Sequence, residues 1–227
     1  MTTPTEKRGR TPFRAKRGTA PFSGRRLGVL ISGRGSNLQS IIDATRQGRL
    51  DASVGIVISN RPEAGGLARA HDAKIEARSM NPREFADRDA CDRAIADLLR
   101  DSGVDLVCLA GYMRLVGASL LDAFRHRILN IHPSLLPAFP GLDAQRQALE
   151  HGVSITGATV HLVTAELDNG PIVVQAPVPV LADDTVDTLA ARILVEEHRI
   201  YPEAIQIVLQ GRWTIDGRRF VPLESAG

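Results

Sequence analysis

Short apolar runs alternate with helix-forming segments between residues 27 and 131 of this 227-residue chain. Between the runs, apolar residues recur at the three- and four-residue spacing of an amphipathic helix. Predicted strands span 27–32, 54–58, 104–110 and 127–131, with a shorter one near Ile75, and predicted helices begin at Leu38 and span 67–71, 83–100 and 118–124. Because buried strands that alternate with helices pair in parallel, the pattern predicts an α/β fold whose right-handed crossovers cover both faces of one sheet.

The pattern of apolar residues changes after residue 132. Residues 156–163 and 172–178 alternate in a strand-like way, and the loop between them holds the turn sequence Asp168-Asn169-Gly170. This pattern predicts an antiparallel pair, followed by a long helix over 185–209 and a terminal hairpin around Asp216-Gly217. No linker-like segment follows residue 26, so we predict a single domain over residues 27–227.

The first 26 residues differ from the rest in charge. They hold eight basic residues against Glu6, a net charge of +7; because the whole chain carries +2, residues 27–227 carry −5. The segment has no hydrophobic period and no apolar core of a secretory signal, which predicts a disordered, solvated tail. RNA binding and organelle targeting are the alternatives for it.

Composition argues against several classes of protein. Aromatic residues make up 4% of the chain, which disfavours a surface that stacks single-stranded nucleic acid. No run of 18 apolar residues is present, so no membrane span is predicted. The two cysteines, Cys91 and Cys108, lie in predicted regular elements, which argues against a disulfide framework and fits a reducing cytoplasm. No His and Cys cluster has metal-ligand spacing, so we predict no metal.

A glycine-rich segment, Gly33-Arg34-Gly35-Ser36-Asn37, links the first predicted strand to the first predicted helix. Two glycines permit a sharp turn, and the free N–H groups at a helix amino terminus attract anions. The segment therefore predicts a phosphate site, to which Ser36 or Asn37 adds a side-chain donor or a cap. A plain turn with a helix cap is the alternative. No lysine follows, which excludes a Walker loop, and Leu38 stands where a dinucleotide fingerprint has its third glycine.

Two polar residues, Asn130 and His132, stand at the end of the fourth long predicted strand. Residues i and i+2 of a strand point to the same side, so both side chains can face one reacting group at the ligand-binding edge of the sheet. An amide donor, an imidazole and a later acid, Asp168, are the groups that acyl transfer needs. The alternatives are a satisfied buried histidine for His132, a turn residue for Asp168 and a solvated helix face for Glu197.

In their order along the chain, these motifs resemble those of the folate-dependent phosphoribosylglycinamide formyltransferases over about residues 27–210. The matching segments are 31–39 (Ile-Ser-Gly-Arg-Gly-Ser-Asn-Leu-Gln), 109–114, 130–137 (Asn-Ile-His-Pro-Ser-Leu-Leu-Pro), 157–161, 167–171 (Leu-Asp-Asn-Gly-Pro) and 197–202. The resemblance implies the formyltransferase fold, a Rossmann-like, mostly parallel sheet with helices on both faces and a C-terminal antiparallel extension. It also implies formyl transfer from 10-formyltetrahydrofolate to the amine of 5′-phosphoribosylglycinamide in purine biosynthesis, without a metal.

The resemblance assigns roles to individual residues. Asn130, His132 and Asp168 would be catalytic: the first two would donate to the formyl oxygen, with His132 protonated, and Asp168 would favour the imidazolium. The ribonucleotide would be bound by Gly35, Ser36, Asn37, Leu194, Val195, Glu196 and Glu197. The folate would be bound by Arg88, Met113, Arg114, Leu115, Val116, Asn130, Thr164, Ala165, Glu166, Leu167 and Asp168. The expected partners are these small molecules, and the expected state is a monomer or a homodimer.

Two further features concern the segment after His132. The resemblance suggests a cis peptide bond at Leu136–Pro137, a position typical of tight functional turns. After Pro140-Gly141-Leu142, members of the family often have histidines where this chain has Asp143 and Gln145. This departure puts the contacts of that loop in doubt and leaves the chemistry unaffected.

Three other functions compete with this interpretation. Methionyl-tRNA formyltransferases share the Asn-x-His segment, but they usually carry a second carboxy-terminal domain, for which we expect no room here, and an Arg where Ala138 stands. Formyltetrahydrofolate hydrolases commonly have a second histidine at the position of Pro133, and an amino-terminal regulatory domain. A non-catalytic nucleotide-binding module would explain the glycine-rich loop but not the set of Asn130, His132 and Asp168.

Overall fold

The computed structural model of the chain describes residues 25–223, and most of the predicted tail, residues 1–24, lies outside them. Within this range one sheet contains β1 (Arg26–Ile31), β2 (Ser53–Ser59), β3 (Glu76–Ser79), β4 (Leu106–Leu109), β5 (Ile128–His132), β6 (Ile155–Leu162), β7 (Ile172–Pro179), β8 (Trp213–Asp216) and β9 (Arg219–Pro222). The α-helices of the same range are α1 (Ser36–Arg46), α2 (Gly65–Asp72), α3 (Arg88–Asp101), α4 (Ala118–Ala123), α5 (Ala144–Glu150) and α6 (Val186–Leu209).

The sheet has the strand order β3-β2-β1-β4-β5-β6-β7-β9-β8. The strands from β3 to β5 run parallel to one another. β6 pairs antiparallel with both β5 and β7, and the hairpin of β8 and β9 extends the sheet beyond β7. The predicted fold class, a mostly parallel sheet with an antiparallel extension toward the carboxyl terminus, is therefore confirmed.

The central strands send alternate apolar side chains into two cores, one on each face of the sheet. Val29 and Ile31 of β1 join the core that α1 and α6 cover, whereas Leu30 joins the core that α3 and α4 cover. Tyr201 of α6 is fully buried, and its hydroxyl donates to the carbonyl oxygen of Leu109 at 2.9 Å. This bond fixes α6 against the carboxyl end of β4, where the candidate site lies.

Three differences between the predicted and the observed elements concern a helix start, a strand start and an additional helix. The helix predicted over 83–100 is one 3-10 turn at Pro82–Glu84 followed by α3, because Asp87 is extended and its carboxylate accepts a hydrogen bond from the N–H of Ala90 at 2.7 Å as the amino-terminal cap. The third strand begins at Glu76, just after the predicted position at Ile75. Helix α5 had no counterpart in the prediction.

Three general properties of residues 25–223 concern membranes, thiols and metals. No helix among residues 25–223 is long and apolar enough to cross a membrane. Cys91 on α3 and Cys108 on β4 are buried free thiols. Within the same residues, no group of three or more His, Cys, Asp or Glu side chains is arranged to hold a metal ion.

Candidate active site

The loops that follow β1, β2 and β4 meet at one edge of the sheet. Ser32, just after β1, joins them: its N–H donates to the carbonyl oxygen of Gly111 at 3.1 Å, and its hydroxyl donates to Asn60 Oδ1 at 2.5 Å. The N–H of Met113 donates to the same hydroxyl at 2.8 Å. Because parallel strands place their carboxyl ends together, the predicted meeting of the loops at Gly33 and Gly111 with the end of β5 at His132 is what the structure shows.

Asn130, His132 and Asp168 lie close together with a fourth residue, His161. We call these four side chains the acid cluster. His132 Nδ1 lies 3.4 Å from Asp168 Oδ2, and Asn130 Nδ2 lies 3.5 Å from Asp168 Oδ1. His161 faces Asn130 across the β5–β6 pairing, with its Nε2 3.2 Å from Asn130 Nδ2 and 3.6 Å from Asp168 Oδ1. The structure thus brings together the three residues expected to be catalytic and adds a second imidazole.

The proton positions in the acid cluster follow from the carbonyl groups around it. His132 Nε2 lies 2.8 Å from the carbonyl oxygen of Phe139, and His161 Nδ1 lies 3.0 Å from that of Leu162. A carbonyl oxygen only accepts, so these two nitrogens carry hydrogen. His132 Nδ1 and His161 Nε2 therefore face Asp168, and a proton taken up by either of them is placed against a carboxylate.

Burial and charge act in opposite directions in the acid cluster. Burial lowers the pKa of His132 below 6.5, and this outweighs the Phe139 carbonyl and the Asp168 charge, which raise it. Burial raises the pKa of Asp168, but hydrogen bonds from His161 and from the Gly141 N–H, together with the charge of His132, leave that pKa below its ordinary value of 3.8. Asp168 is therefore ionised across the neutral range, and its charge faces His132 Nδ1 and His161 Nε2.

The glycine-rich segment after β1 forms a tight loop, which we call the anion loop (residues 33–37). Gly35 caps α1 in the left-handed conformation at φ 72°, and a Cβ added to it would lie 2.6 Å from the Cα of Gly66. No side-chain hydrogen bond caps this helix at Gly35. The N–H groups of the first turn of α1 point out of the helix toward the edge of the sheet.

Asn37 uses its side chain to reach the long helix α6. Its Nδ2 donates to Glu197 Oε2 at 2.7 Å, and both side chains are buried. Within residues 25–223, Asn37 Oδ1 is buried without a hydrogen-bond partner. Burial raises the pKa of Glu197, and the hydrogen bond from Asn37 opposes this only in part. The interpretation of Glu197 as part of a solvated face is therefore wrong, and its position four residues after buried Ile193 is the signal for its burial.

Several residues predicted to bind folate line or border one cavity. Arg88, Val116, Thr164 and Ala165 line one cavity of about 700 Å³, together with Asp89, Gly117, Ala118, Leu121, Asp122, Arg125, His126 and Val163. Beside this cavity the side chains of Met113 and Leu115 are 62% and 56% exposed, and that of Leu167 is 54% exposed. The guanidinium of Arg114 is turned the other way, with Nη1 3.2 Å from Cys91 Sγ.

The segment that follows His132 forms a turn whose Phe139 carbonyl contacts His132. The Leu136–Pro137 bond is cis, as predicted. Thr159 of β6 donates to the Ser134 carbonyl at 2.7 Å and accepts from the Leu136 N–H at 3.1 Å, which holds the turn that presents the Phe139 carbonyl to His132. Asp143 stands at the amino end of α5 with φ 55° and makes no side-chain cap.

Comparison with known proteins agrees with this geometry. The profile of the formyl transferase family matches residues 25–205. The phosphoribosylglycinamide formyltransferase of Escherichia coli is 44% identical over 202 residues, which cover 86% of this chain and 95% of that protein. The human trifunctional purine biosynthetic protein adenosine-3 is 46% identical over 183 residues, 81% of this chain and 18% of that protein. The crystal structure of glycinamide ribonucleotide transformylase 1 from Symbiobacterium toebii matches with a TM-score of 0.87 at 60% identity, over 88% of this chain and 95% of that one.

Proposed function

The chain belongs to the formyl transferase family, and from this premise we propose that it transfers the formyl group of 10-formyltetrahydrofolate to the amine of 5′-phosphoribosylglycinamide. The products are 5′-phosphoribosyl-N-formylglycinamide and tetrahydrofolate, at the corresponding step of purine biosynthesis. One observation carries the proposal: Asn130, His132, His161 and Asp168 form one proton-transfer cluster, and the loop that carries Asp168 also supplies Thr164 and Ala165 to the cavity of about 700 Å³. A site for a phosphorylated amine and a site for a large flat donor would then flank one proton-transfer centre.

The ribonucleotide side of the proposal is supported by the anion loop and α6. The backbone N–H groups of Gly35, Ser36 and Asn37 are suited to a phosphate, because a helix amino terminus attracts an anion. The buried Oδ1 of Asn37 suits a donor of the substrate, and Glu197 beside it suits the ribose hydroxyls or the amine. Leu194, Val195 and Glu196 precede Glu197 on α6 and complete the set of α6 residues that we propose to contact the ribonucleotide.

The folate side is supported by the exposed apolar side chains and the cavity. The side chains of Met113 and Leu115 offer apolar surface to a ring system, and the neighbouring cavity is lined by Arg88, Val116, Thr164 and Ala165. The exposed loop of Glu166 and Leu167 leads into Asp168, so the same segment that would bind the folate carries the acid. Pockets of this kind are mostly apolar with a few placed polar groups.

The acid cluster fits the proton and charge movements of formyl transfer. When the amine attacks, negative charge develops on the formyl oxygen, which Asn130 Nδ2 and His132 Nδ1 are placed to stabilise. Asn130 Nδ2 lies 3.5 Å from Asp168 Oδ1, and His132 Nδ1, which carries a proton when the ring is the imidazolium, lies 3.4 Å from Asp168 Oδ2. Both distances are longer than a typical N–H···O hydrogen bond, so both groups can donate to the formyl oxygen. Asp168 favours the imidazolium of His132 and directs the proton released by the amine toward the leaving folate nitrogen.

Three further points of the proposal concern the chain's surroundings. The residues at the site supply donors, an acid and an anion loop, so we propose a reaction without a metal. The free buried thiols support a reducing compartment such as the cytoplasm. The chain works on small molecules as a monomer or a homodimer.

A direct assay tests the proposal against its rivals. The purified chain is incubated with 10-formyltetrahydrofolate and, in separate reactions, with 5′-phosphoribosylglycinamide, with methionyl-tRNA or with buffer alone. We expect tetrahydrofolate to form only with phosphoribosylglycinamide, in a one-to-one ratio with the formylated amide. Release of formate in buffer alone would indicate a hydrolase, and formylation of the tRNA would indicate the other transferase; either result without phosphoribosylglycinamide turnover would overturn the proposal.

A further inference from the structure

One buried carboxylate lies outside the acid cluster and has no part in the proposed chemistry. Asp92 belongs to the inward face of α3, between Cys91 and Ile95, and is 1% exposed. An ionised carboxylate in such a place is costly unless charges and donors compensate it. The groups that contact Asp92 therefore indicate the role of this buried carboxylate.

The partners of Asp92 all belong to, or contact, the segment of residues 110–117 after β4, which we call the folate loop. Asp92 Oδ2 accepts a hydrogen bond from the N–H of Gly117 at 2.6 Å. Burial, with a smaller contribution from the charge of Asp89, raises the pKa of Asp92; the Gly117 hydrogen bond and the charges of Arg114 and Arg88 offset this only in part. Arg88 donates to the Leu115 carbonyl at 2.5 Å, so Arg88 and Asp92 hold the backbone of the folate loop at two positions, Leu115 and Gly117.

Gly117 lies so close to the Asp92 carboxylate that no side chain fits at this position. A Cβ added there would lie 2.6 Å from Asp92 Oδ2 and 3.7 Å from Arg88 Nε. Real Cβ atoms do not approach an oxygen so closely, so either the folate loop or the carboxylate would have to move. The backbone of the folate loop thus rests directly on the carboxylate.

The polar groups of the folate loop are bound to the protein, whereas two of its apolar side chains are exposed. Arg114 turns its guanidinium to Cys91 Sγ at 3.2 Å and to the Tyr112 hydroxyl at 3.4 Å, and the Met113 N–H is held by Ser32. Met113 and Leu115 are left exposed beside the cavity. Because these contacts hold the backbone and the arginine of the loop, the apolar side chains of Met113 and Leu115 stay exposed to a ligand.

We propose that Asp92 is a positioning residue for the formyl donor: it anchors the folate loop through the Gly117 N–H and fixes this loop in the shape that binds folate. This inference rests on the proposed function. Asp92 touches no reacting atom, so its removal weakens folate binding and leaves the chemical step and the ribonucleotide site intact.

The test separates the two substrates kinetically in the full-length enzyme. Asp92→Ala removes both the acceptor and the charge, Asp92→Asn keeps an acceptor for the Gly117 N–H, and Gly117→Ala displaces the loop while leaving the carboxylate. Asp97→Asn, an exposed acid on the same helix that pairs with Arg100, is the matched control. The measurements are KM for each substrate, kcat, and the Kd of tetrahydrofolate by calorimetry.

We expect Asp92→Ala to raise KM for 10-formyltetrahydrofolate and the Kd of tetrahydrofolate by about 10- to 100-fold, the cost of losing a hydrogen bond to a charged group. Gly117→Ala is expected to act in the same direction, and Asp92→Asn more weakly. KM for phosphoribosylglycinamide should stay within about 2-fold, and Asp97→Asn should match the wild type. If Asp92→Ala does not fold, Asp92→Asn and Gly117→Ala carry the test.

Two results would overturn the inference. One is an unchanged folate KM and Kd in the folded variants, and the other is an equal rise in both KM values, which a merely structural role would produce. A wild-type enzyme that binds tetrahydrofolate without formylating phosphoribosylglycinamide would refute the proposed function, and the Kd values would still decide the role of Asp92. A wild type that does not bind tetrahydrofolate would overturn both.

Discussion

The anion loop and the acid cluster lie at the same edge of the sheet but are built in different ways. The anion loop consists of five consecutive residues whose backbone N–H groups and left-handed Gly35 do the work. The acid cluster takes its four side chains from β5, from β6 and from the loop that leads to β7. One region depends on local backbone geometry, whereas the other depends on the register between strands distant in sequence.

This difference has an electrostatic consequence. The anion loop needs no titrating side chain, because helix N–H groups keep their partial charge at every pH. In the acid cluster, each imidazole has one nitrogen tied to a carbonyl and the other facing Asp168. We therefore expect the pH dependence of catalysis to come from the acid cluster and not from phosphate binding.

The largest expected effect comes from removing a member of the acid cluster. His132→Ala and Asp168→Asn should each lower kcat by about 10²–10³-fold, since each removes a group placed to stabilise charge or move a proton in the transition state. KM for phosphoribosylglycinamide should change little, because the anion loop is untouched. Steady-state kinetics with a thermal melt of each variant checks this; kcat within a few-fold of wild type would remove the acid cluster from the mechanism.

The contrast between the two regions also explains what the sequence alone could predict. The strand, the glycines and the helix of the anion loop are contiguous, so the predicted strand–loop–helix matched the structure. Asn130 and His132 were paired by the two-residue period of a strand. The family resemblance supplied Asp168, which residue chemistry left open between a turn and an acid.

What the sequence missed depends on tertiary contacts. His161 reaches the acid cluster because β6 pairs antiparallel with β5 and sets it opposite Asn130, and no local pattern specifies that register. The late start of α3 was set by Asp87, whose extended backbone and capping carboxylate override a continuous helical pattern. Glu197 was first assigned to a solvated face because charged residues are usually exposed, and its partner, Asn37, lies 160 residues away.

A glycine substitution tests whether substrate binding at the anion loop depends on the conformation of its backbone. Gly35→Ala should raise KM for phosphoribosylglycinamide by about 10- to 100-fold, since its Cβ would lie 2.6 Å from Gly66 Cα and displace the N–H groups. Gly48→Ala is the control: Gly48 has a similar φ of 69°, with nothing within 4 Å of the added Cβ. Both variants lose stability through left-handed strain, so equal KM values in the two would contradict a phosphate site at this loop.

The second imidazole gives a smaller effect with a defined direction in pH. His161→Ala should lower kcat by about tenfold, because it removes one partner of Asp168 and leaves His132 in place. The hydrogen bond from His161 helps to hold the pKa of Asp168 below 3.8, so without it this pKa rises and the acid limb of the pH–rate profile moves to higher pH. His71→Gln, at an exposed position on α2, is the control; an unmoved acid limb in His161→Ala would show that His161 does not act on Asp168.

The smallest expected effect concerns stability at the border of the anion loop. Burial raises the pKa of Glu197, so this carboxyl contributes stability below its unfolded pKa of 4.5, and that contribution is lost as the pH rises through the folded pKa. Above the folded pKa the buried carboxylate is charged, whereas Glu197→Gln carries no charge and still accepts the Asn37 hydrogen bond. In that pH range the variant should therefore melt higher than the wild type, by about 2–4 °C for each kcal/mol gained in a chain of this size.

The same substitution should weaken the ribonucleotide site while it stabilises the fold. If Glu197 is retained to bind the substrate, Glu197→Gln raises KM for phosphoribosylglycinamide by about tenfold, the loss expected for one hydrogen bond to a charged group. The gain in melting temperature should shrink between pH 8 and pH 4, because the wild-type carboxyl becomes neutral as the pH falls. A lower melting temperature at pH 8 with an unchanged KM would assign Glu197 to the core and separate it from the anion loop.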